Sequence, residues 1–382
     1  MASGYPLRIL FCSLVLNLLL TLQAAAMEVK VLILESASQL TLSCDAPFQI
    51  SRYDPIEFVH EYPSYEKVLV LPQPAGWRIG DQEVAGQDLK VETDPSFFIE
   101  VNDRPFRGRL EIHQGRGKRV QVVNVLDLED YLRGVIKEEI STQWPLEALK
   151  AQAVVARTFA LRQVLDNPGQ LFHLKCTTDS QVYGGKQRED FRSDWAVQDT
   201  AGIVLTYDEK PIPAFYHAAC GGHTEAASDV WSYNHASLQG VPCDYCLCHP
   251  VYTWQASLRK EEIRRALLRW GCQLGEIEAI LPLARSKTGR ILQLEIRHAG
   301  GRTLMEGKKF RQYLGYDLIR STNFSVKREN GVFTFLGKGW GHGVGLCQWG
   351  AKGMAELAFS YQAILQHYYP GTHLARMEEL GD

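Results

Sequence analysis

The sequence predicts an α+β protein with a mixed, largely antiparallel sheet. Three observations carry this prediction. Short alternating or β-branched runs fill the first third of the chain, an Ala-rich stretch after Pro145 has helical spacing, and strands and helices do not alternate one by one as in a parallel α/β fold. The net charge is only −3, and no block of Lys and Arg is dense, so nucleic acid is not an expected partner.

The first 26 residues have the composition of an export signal. Arg8 is their only charge, an apolar run fills residues 9–22, and residues 24–26 are the small side chains that a signal peptidase prefers. The run is short for a bilayer span, which needs about 20 apolar residues. We therefore expect an exported protein of the periplasm or cell envelope, with a cleaved signal peptide favoured over a membrane anchor.

A β-rich region is predicted to follow. Its strand-like runs are separated by Gly, Asp, Asn and Pro, and they occupy residues 29–34, 40–44, 97–101, 109–113 and 120–125.

The Ala-rich segment is the clearest helix of the chain. Pro145 suits a first helical position, and Glu147 places negative charge in the first turn. Lys150 and Arg157 lie two turns apart along one side. Apolar residues recur at helical spacing and form a narrow face that can pack closely, comprising Leu146, Leu149, Ala153, Ala156 and Ala160.

The last third of the chain is predicted to contain both helices and strands. A second helix is expected over residues 258–270 and a hairpin over 291–305. A Gly-rich loop at 337–345 then leads into helical segments near 348–357 and 361–368.

Glu139 is the candidate acid. It is predicted to lie on a turn before the Ala-rich helix, and a carboxylic acid beside a cationic helix suits cleavage of a hydroxyl-rich substrate by proton transfer. Its apolar neighbours Ile136, Ile140 and Trp144 favour a raised pKa, which keeps the acid protonated. Spacing alone does not separate Glu139 from Glu138, and a solvated turn carboxylate is the simpler interpretation of either.

Two further groups of polar residues are candidates for substrate binding. Lys150 and Arg157 can hydrogen-bond sugar hydroxyls or a carboxylate, with ordinary surface charge as the alternative. In the Gly-rich loop, Trp340 and His342 offer a stacking face and a polar tip suited to sugar rings. The alternative for this loop is a tight structural turn, and its sequence does not match a P-loop.

The cysteines leave two possibilities open. Cys243, Cys246 and Cys248 form a C-x-x-C-x-C pattern, which in an exported chain favours disulfides over zinc. A metal there lacks a second pair of ligands unless His173 and Cys176 supply it. A redox or metal protein is therefore the least favoured of the functions considered, and no cofactor or metal is expected. A His217–Cys220 nucleophilic pair is disfavoured as well, because Cys proteases place these residues far apart in sequence.

Several motifs occur in a fixed order over residues 120–375. They are the segments 125–135 and 147–158, Gln181-Val-Tyr183, Tyr216-His217 with Cys220-Gly-Gly222, the 339–345 loop, Gln348-Trp-Gly-Ala351 and His367-Tyr-Tyr-Pro-Gly371. Together they resemble the SpoIID/LytB family of bacterial cell-wall proteins. SpoIID-like enzymes are lytic transglycosylases that cut between N-acetylmuramic acid and N-acetylglucosamine in peptide-stripped glycan strands, forming 1,6-anhydro ends without consuming water.

The resemblance implies roles for individual residues. It places the family's essential acid on Glu139, in preference to Glu138, and the family's helix Lys and Arg on Lys150 and Arg157. The complete substrate-binding set that we expect is Lys150, Arg157, Tyr216, His217, Trp340 and His342. The chain also departs from the family pattern. Ser141 stands where a Pro often follows the Glu, and Asp179-Ser180 stands where some members have a zinc-binding His-Cys pair.

The resemblance also implies an organisation and partners. We expect a signal peptide (1–26), a β-rich region (27–115), a SpoIID-like catalytic domain (116–375) with an inserted subdomain around 245–320, and a tail (376–382). The expected partners are peptidoglycan glycan strands and an N-acetylmuramoyl-L-alanine amidase. A non-catalytic peptidoglycan-binding module that enhances an amidase is the alternative function.

Overall fold

The structure, a computed structural model, describes residues 27–53, 56–231, 233–248, 250 and 252–380. The predicted signal peptide lies outside these residues. Helices and mainly antiparallel sheets occur together, which confirms the α+β prediction. Within the described part of the chain, no helix is both long and apolar enough to cross a membrane.

The strands before the first helix form two sheets that enclose one core. In one sheet β1, β12, β11, β8, β3 and β4 are neighbours, and in the other β10, β9, β2, β5, β6 and β7. The strands are β1 (Glu28–Ala37), β2 (Leu40–Cys44), β3 (Phe48–Arg52), β4 (Glu57–Tyr62), β5 (Val68–Gln73), β6 (Gly76–Ile79), β7 (Gln82–Ala85), β8 (Asp88–Thr93), β9 (Ile99–Val101), β10 (Arg104–Phe106), β11 (Arg109–Gln114) and β12 (Val120–Asp127).

The N-terminal strands are continuous with the rest of the fold. Strand β12 pairs antiparallel with both β1 and β11. The core that contains Val29 and Leu110 also contains Tyr131 and Ala160 from the helices that follow. The predicted division at residue 115 therefore falls in a hairpin inside one sheet and one core.

The middle of the chain is mainly helical. Helix α1 begins where the Asp127 side chain accepts a 2.8 Å hydrogen bond from the Glu129 N–H. Glu138 and Glu139 lie on its last turn, so the prediction of a turn at this point was wrong. The elements are α1 (Leu128–Glu139), α2 (Leu146–Asp166), β13 (Leu174–Lys175), α3 (Phe191–Asp199), β14 (Ile203–Tyr207), β15 (Lys210–Pro211), β16 (Tyr216–His217) and α4 (Ala227–Val230).

Helix α2, the predicted Ala-rich helix, is buried on two sides. The predicted face, including Ala153 and Ala160, packs in the core of the N-terminal sheets. The opposite face, with Val154 and Val155, packs in a second core formed with α7 (Gln348–Glu356) and α8 (Tyr361–Tyr368). A helix buried on both sides accounts for the small and apolar residues around most of its circumference.

Residues 253–338 form a unit with its own core around Phe310, Phe333 and Phe335. It occupies the place of the predicted insertion and extends beyond residue 320. Its first and last residues meet, because Thr253 pairs with Lys338. Its elements are β17 (Thr253–Arg259), α5 (Lys260–Arg269), β18 (Ile277–Arg285), β19 (Ile291–His298), β20 (Gly301–Glu306), α6 (Gly307–Leu314), β21 (Phe324–Glu329) and β22 (Val332–Lys338).

The chain after this unit returns to the helical part. Strand β23 (Leu346–Cys347) pairs in parallel with β16, so that Tyr216 faces Leu346 and His217 faces Cys347. Strand β24 (His373–Arg376) pairs with β14. Short 3-10 helices occupy Arg116–Lys118, Gly185–Arg188, Ala236–Leu238 and Met377–Glu379.

Candidate functional site

Glu139 is the last residue of α1, and the residue as a whole is partly exposed. The backbone N–H of Val182 donates a 3.2 Å hydrogen bond to its Oε1, and the Tyr216 hydroxyl donates a second bond to the carboxyl. Burial raises the pKa of Glu139 above its ordinary value, although these two hydrogen bonds oppose the shift. The direction agrees with the prediction made from its apolar neighbours, of which Ile136 and Ile140 are buried.

Glu138 has a different environment. Its Oε1 lies 3.0 Å from Nε of Arg188 in an ion pair at the surface. In the described part of the chain, Glu139 forms no ion pair. The geometry thus separates two adjacent carboxyls that spacing alone did not: Glu138 is paired with a cation at the surface, and burial raises the pKa of Glu139.

A buried polar network positions the Tyr216 hydroxyl. The Tyr131 hydroxyl donates to Oε1 of Gln181 at 3.1 Å, and Nε2 of Gln181 donates to the Tyr216 hydroxyl at 3.2 Å. Burial raises the pKa of both tyrosines well above the usual value, so both keep their protons. Tyr131, Gln181 and Val182 were not among the predicted site residues. Gln181 and Val182 lie in the Gln-Val-Tyr motif, which was the available signal.

Lys150 and Arg157, the two cations of α2 that were predicted to bind substrate, are engaged within the protein. Nζ of Lys150 lies 2.6 Å from Oδ2 of Asp199 and 3.1 Å from Oε1 of Glu147, and its side chain is 15% exposed. Hydrogen bonding to Asp199 raises the pKa of Lys150. These contacts join the first turn of α2 to the end of α3.

Arg157 is completely buried. Its guanidinium donates to both carboxylate oxygens of Glu129 at 2.7 Å, and also to the carbonyls of Val197 and Ile203. With its donors so engaged, direct contact between Arg157 and a substrate is not available in this arrangement. The expectation of a substrate-binding Arg157 is corrected to a role in holding α1, α2 and α3 together.

The Gly-rich loop packs against protein. A Cβ at Gly341 would lie 2.7 Å from Cβ of His217, one at Gly343 would lie 2.6 Å from the Arg290 guanidinium, and one at Gly345 would lie 1.9 Å from the Phe215 carbonyl oxygen. All three glycines have positive φ. The glycines therefore permit close approach of neighbouring segments, as the structural-turn alternative predicted.

The two histidines near this loop are neutral hydrogen-bonded residues. Nδ1 of His342 accepts from the Val344 N–H at 3.1 Å, and its ring donates to the Tyr216 carbonyl. Nδ1 of His217 bonds the Val344 carbonyl at 3.1 Å. Burial lowers the pKa of His342 far below its usual value and, with Arg290 adding to the effect, that of His217 to about 3. His217 is only 4% exposed, which excludes direct substrate contact in this arrangement.

Trp340 and His342 lie on either side of Gly341, and both are partly exposed. The Arg320 guanidinium stacks 4.7 Å over the Trp340 ring. His342 lines a cavity of about 310 Å³ whose other walls include Trp231, Arg290 and Arg311, and Glu139 is not among its lining residues. The backbone of Tyr216 connects the two regions.

Four cysteines lie together near this network. The Sγ atoms of Cys220, Cys243, Cys246 and Cys347 are all within 4.8 Å of one another, and all four residues are buried. No disulfide forms among the eight cysteines that the structure describes, so the expectation of disulfides was wrong for this part of the chain. Cys248 is exposed and lies outside the group, as do His173 and Cys176.

The fold and site define an α+β protein with a candidate acid–base centre built on one glutamate. The family model described as stage II sporulation protein matches residues 116–207, which contain Glu139 and its network as far as Val182. A second model, a domain of unknown function, matches residues 247–345, which include the inserted unit.

Curated relatives extend this similarity. The chain is 32% identical to stage II sporulation protein D of Bacillus amyloliquefaciens over 67% of this chain and 76% of the relative. It is 30% identical to the Bacillus subtilis amidase enhancer over 64% of this chain and 40% of that protein. An uncharacterized protein of Brachyspira hyodysenteriae is 32% identical over 91% of this chain and 92% of its own. This chain belongs to the SpoIID family, that of stage II sporulation protein D.

Proposed function

We propose that this protein is a peptidoglycan lytic transglycosylase that cleaves the bond between N-acetylmuramic acid and N-acetylglucosamine in peptide-stripped glycan strands. Membership of the SpoIID family supports a function related to the cell wall. The observation that carries the finer proposal is the contrast between Glu139, which burial biases towards its protonated form, and its neighbour Glu138, which is ion-paired with Arg188.

Glu139 supplies both proton transfers. The protonated carboxyl donates to the glycosidic oxygen as the bond from that oxygen to the muramic C1 breaks. The carboxylate then removes the proton of the muramic C6 hydroxyl, whose oxygen forms the new bond to C1. No water is consumed, and the acid regains its proton. Because the nucleophile belongs to the substrate and lies close to C1, a second catalytic carboxylate is unnecessary.

The Tyr131–Gln181–Tyr216 network holds the Tyr216 hydroxyl against the Glu139 carboxyl. The Tyr216 hydroxyl accepts a hydrogen bond from the Gln181 amide and donates one to the Glu139 carboxyl. The backbone N–H of Val182 donates a further bond to Oε1 of the same carboxyl. A carboxyl with fixed donors presents its remaining position to the substrate in one orientation. Lys150, Trp340 and His342 are partly exposed and remain the proposed contacts to the strand, whereas Arg157 is buried and stabilises the packing of α1, α2 and α3.

The deciding assay uses glycan strands from which an amidase has removed the stem peptides. We expect the purified protein to generate anhydro-muramyl ends, detected by mass spectrometry. Glu139→Gln is expected to abolish them, while the matched variant Glu138→Gln retains most of the activity. Ends that persist at full rate in folded Glu139→Gln would refute the assignment of the acid.

The second candidate is a non-catalytic protein that binds peptidoglycan and enhances an amidase. The Bacillus subtilis relative named an amidase enhancer favours it. In this case folded wild-type protein gives no anhydro ends, yet it accelerates release of stem peptides by an N-acetylmuramoyl-L-alanine amidase. Acceleration that survives in Glu139→Gln supports binding without chemistry.

We also propose that the protein is exported to the cell envelope after removal of residues 1–26. The apolar run and small residues of this segment support the proposal. Amino-terminal sequencing of the protein from fractionated cells should find Met27 first in an envelope fraction. An intact Met1 in the cytoplasmic fraction would overturn it.

A further inference from the structure

The four-cysteine group is built from three distant parts of the chain. Cys220 follows β16, Cys243 and Cys246 lie in the loop before the inserted unit, and Cys347 ends β23 after that unit. The Cys220 and Cys246 sulfurs are 3.4 Å apart. A tetrahedral zinc ion with Zn–S bonds of about 2.3 Å holds its sulfurs about 3.8 Å apart, so the group already has the dimensions of such a site.

Backbone N–H groups donate to three of the sulfurs, and a hydroxyl group lies within hydrogen-bond distance of the fourth. The N–H groups of Gly222 and Gly221 donate to Cys220 and Cys246 respectively. Cys347 accepts from the N–H of Gly350 at 3.3 Å and from the N–H of Cys220, while the Tyr368 hydroxyl lies 3.1 Å from Sγ of Cys243. Donors aimed at sulfur are the outer contacts that stabilise metal-bound thiolates.

The surroundings suit a negatively charged site. Arg290 is 1% exposed and donates to the Cys220 carbonyl at 2.8 Å, although its nearest carboxylate, Glu225, is 3.8 Å away. Four thiols that bind Zn²⁺ release four protons to solvent and leave a centre with a net charge of −2. The buried guanidinium of Arg290 partly offsets that charge.

We propose that Cys220, Cys243, Cys246 and Cys347 bind one structural zinc ion. With all four positions filled by thiolates, the ion has no open position for a substrate and acts as a crosslink. It fixes β16 against β23, and β16 carries Tyr216, whose hydroxyl bonds Glu139. The zinc therefore acts on the candidate site only through the placement of Tyr216. The sequence pattern around Cys243 and Cys246 lacked a second pair of metal ligands. Cys220 and Cys347, which lie 127 residues apart, provide that pair.

Metal analysis of the purified protein tests this site independently of any activity. We expect about one zinc per chain in the wild type, and less than about a tenth of that in Cys246→Ser. Cys248→Ser is the matched control, because Cys248 is exposed and outside the group. It should retain the metal. Zinc that is unchanged in folded Cys246→Ser, or iron in place of zinc, contradicts the proposal.

A second measurement covers the case in which Cys246→Ser does not fold. Wild-type protein is denatured without reductant, in the presence of a chelator, and its thiols are alkylated. The zinc site predicts that Cys220, Cys243, Cys246 and Cys347 all react, whereas resistance of these four residues indicates two disulfides and refutes the site. Replacement of zinc by Co²⁺ should give the visible absorption of tetrahedral cobalt thiolate, and a featureless spectrum from cobalt-treated, zinc-free protein counts against it.

Discussion

Arg157 and Glu129 form a bidentate ion pair between the middle of α2 and the start of α1, with both nitrogen–oxygen distances at 2.7 Å. The guanidinium is fully buried, whereas the Glu129 side chain is 25% exposed. The pair connects the helix that ends in Glu139 to the helix between the two cores. Arg157, which the sequence suggested as a substrate-binding residue, thus helps to position the helix that carries Glu139.

Removal of this guanidinium should weaken the fold. We expect Arg157→Ala to lower the free energy of unfolding by about 3 kcal/mol, because it leaves Glu129 without its cation and also opens a cavity. Urea unfolding followed by circular dichroism measures the loss. Arg162→Ala on the same helix, which removes a surface pair with Asp166 and a 3.4 Å hydrogen bond to the Pro211 carbonyl, should cost about 1 kcal/mol. Equal stability of the two variants would contradict a buried role for Arg157.

The pKa of Glu139 predicts how activity and stability vary with pH. Its folded-state pKa is raised, so the unfolded chain loses this proton at a lower pH than the folded protein. Stability from this group is therefore complete at low pH and declines as the pH rises through the folded-state pKa. Activity that needs the protonated acid should decline over the same range.

Glu139→Gln isolates this effect, since the amide has no charge at any pH. We expect the variant to lose activity yet to unfold at a higher urea concentration than the wild type at pH 7, and the difference should shrink towards pH 4. Glu138→Gln, which removes the partner of Arg188, should show no such gain. A variant that is less stable than the wild type at both pH values would argue against a destabilising charge at Glu139.

Tyr216 should tune the acid. Its hydrogen bond lowers the pKa of Glu139, so Tyr216→Phe is expected to raise that pKa further and to move the alkaline limit of kcat/KM to higher pH. Tyr131→Phe is the matched control, because Tyr131 bonds Gln181 and not Glu139. The pH profile distinguishes this role from loss of folding, which would lower activity without moving the limit.

Gly345 should tolerate no side chain. It has a φ of 71°, and a Cβ there would lie 1.9 Å from the Phe215 carbonyl oxygen. Gly331 has a φ of 77° but no atom within 4 Å of the same position. We expect Gly331→Ala to cost about 1 kcal/mol from backbone strain alone, and Gly345→Ala to cost about 2 kcal/mol more from overpacking. Thermal unfolding of the two variants measures the difference directly.

Local patterns in the sequence predicted much of the fold. The Ala-rich helix α2, helix α5 and the β19–β20 hairpin follow from spacing and turn residues. Helix α1 was missed although its signal was present, because Asp127 is a favourable N-cap with acidic residues in the first turn. The strand predicted to end at residue 125 continues to Asp127, the residue that caps α1.

The candidate site was harder to predict because its contacts join distant residues. Nothing near Arg157 in the sequence shows that Glu129, 28 positions away, occupies its guanidinium. Likewise, Cys243 and Cys246 have ordinary metal-ligand spacing, but their partners Cys220 and Cys347 are identified only once β16 and β23 pair. Residue spacing indicates which residues are close in sequence, whereas the roles of Arg157 and of the four cysteines depend on contacts between residues that are distant in sequence.

The pairing of Thr253 with Lys338 has a consequence for how this family can change. The inserted unit leaves and re-enters the rest of the molecule at adjacent points, and it folds around a core of its own. A segment attached in this way can lengthen, shorten or be exchanged for another without rerouting the chain on either side. The outer surface of the unit can therefore diverge while the glutamate and its tyrosines stay in place, whereas Arg290, which donates to the Cys220 carbonyl, ties the inner side of the unit to the rest of the molecule.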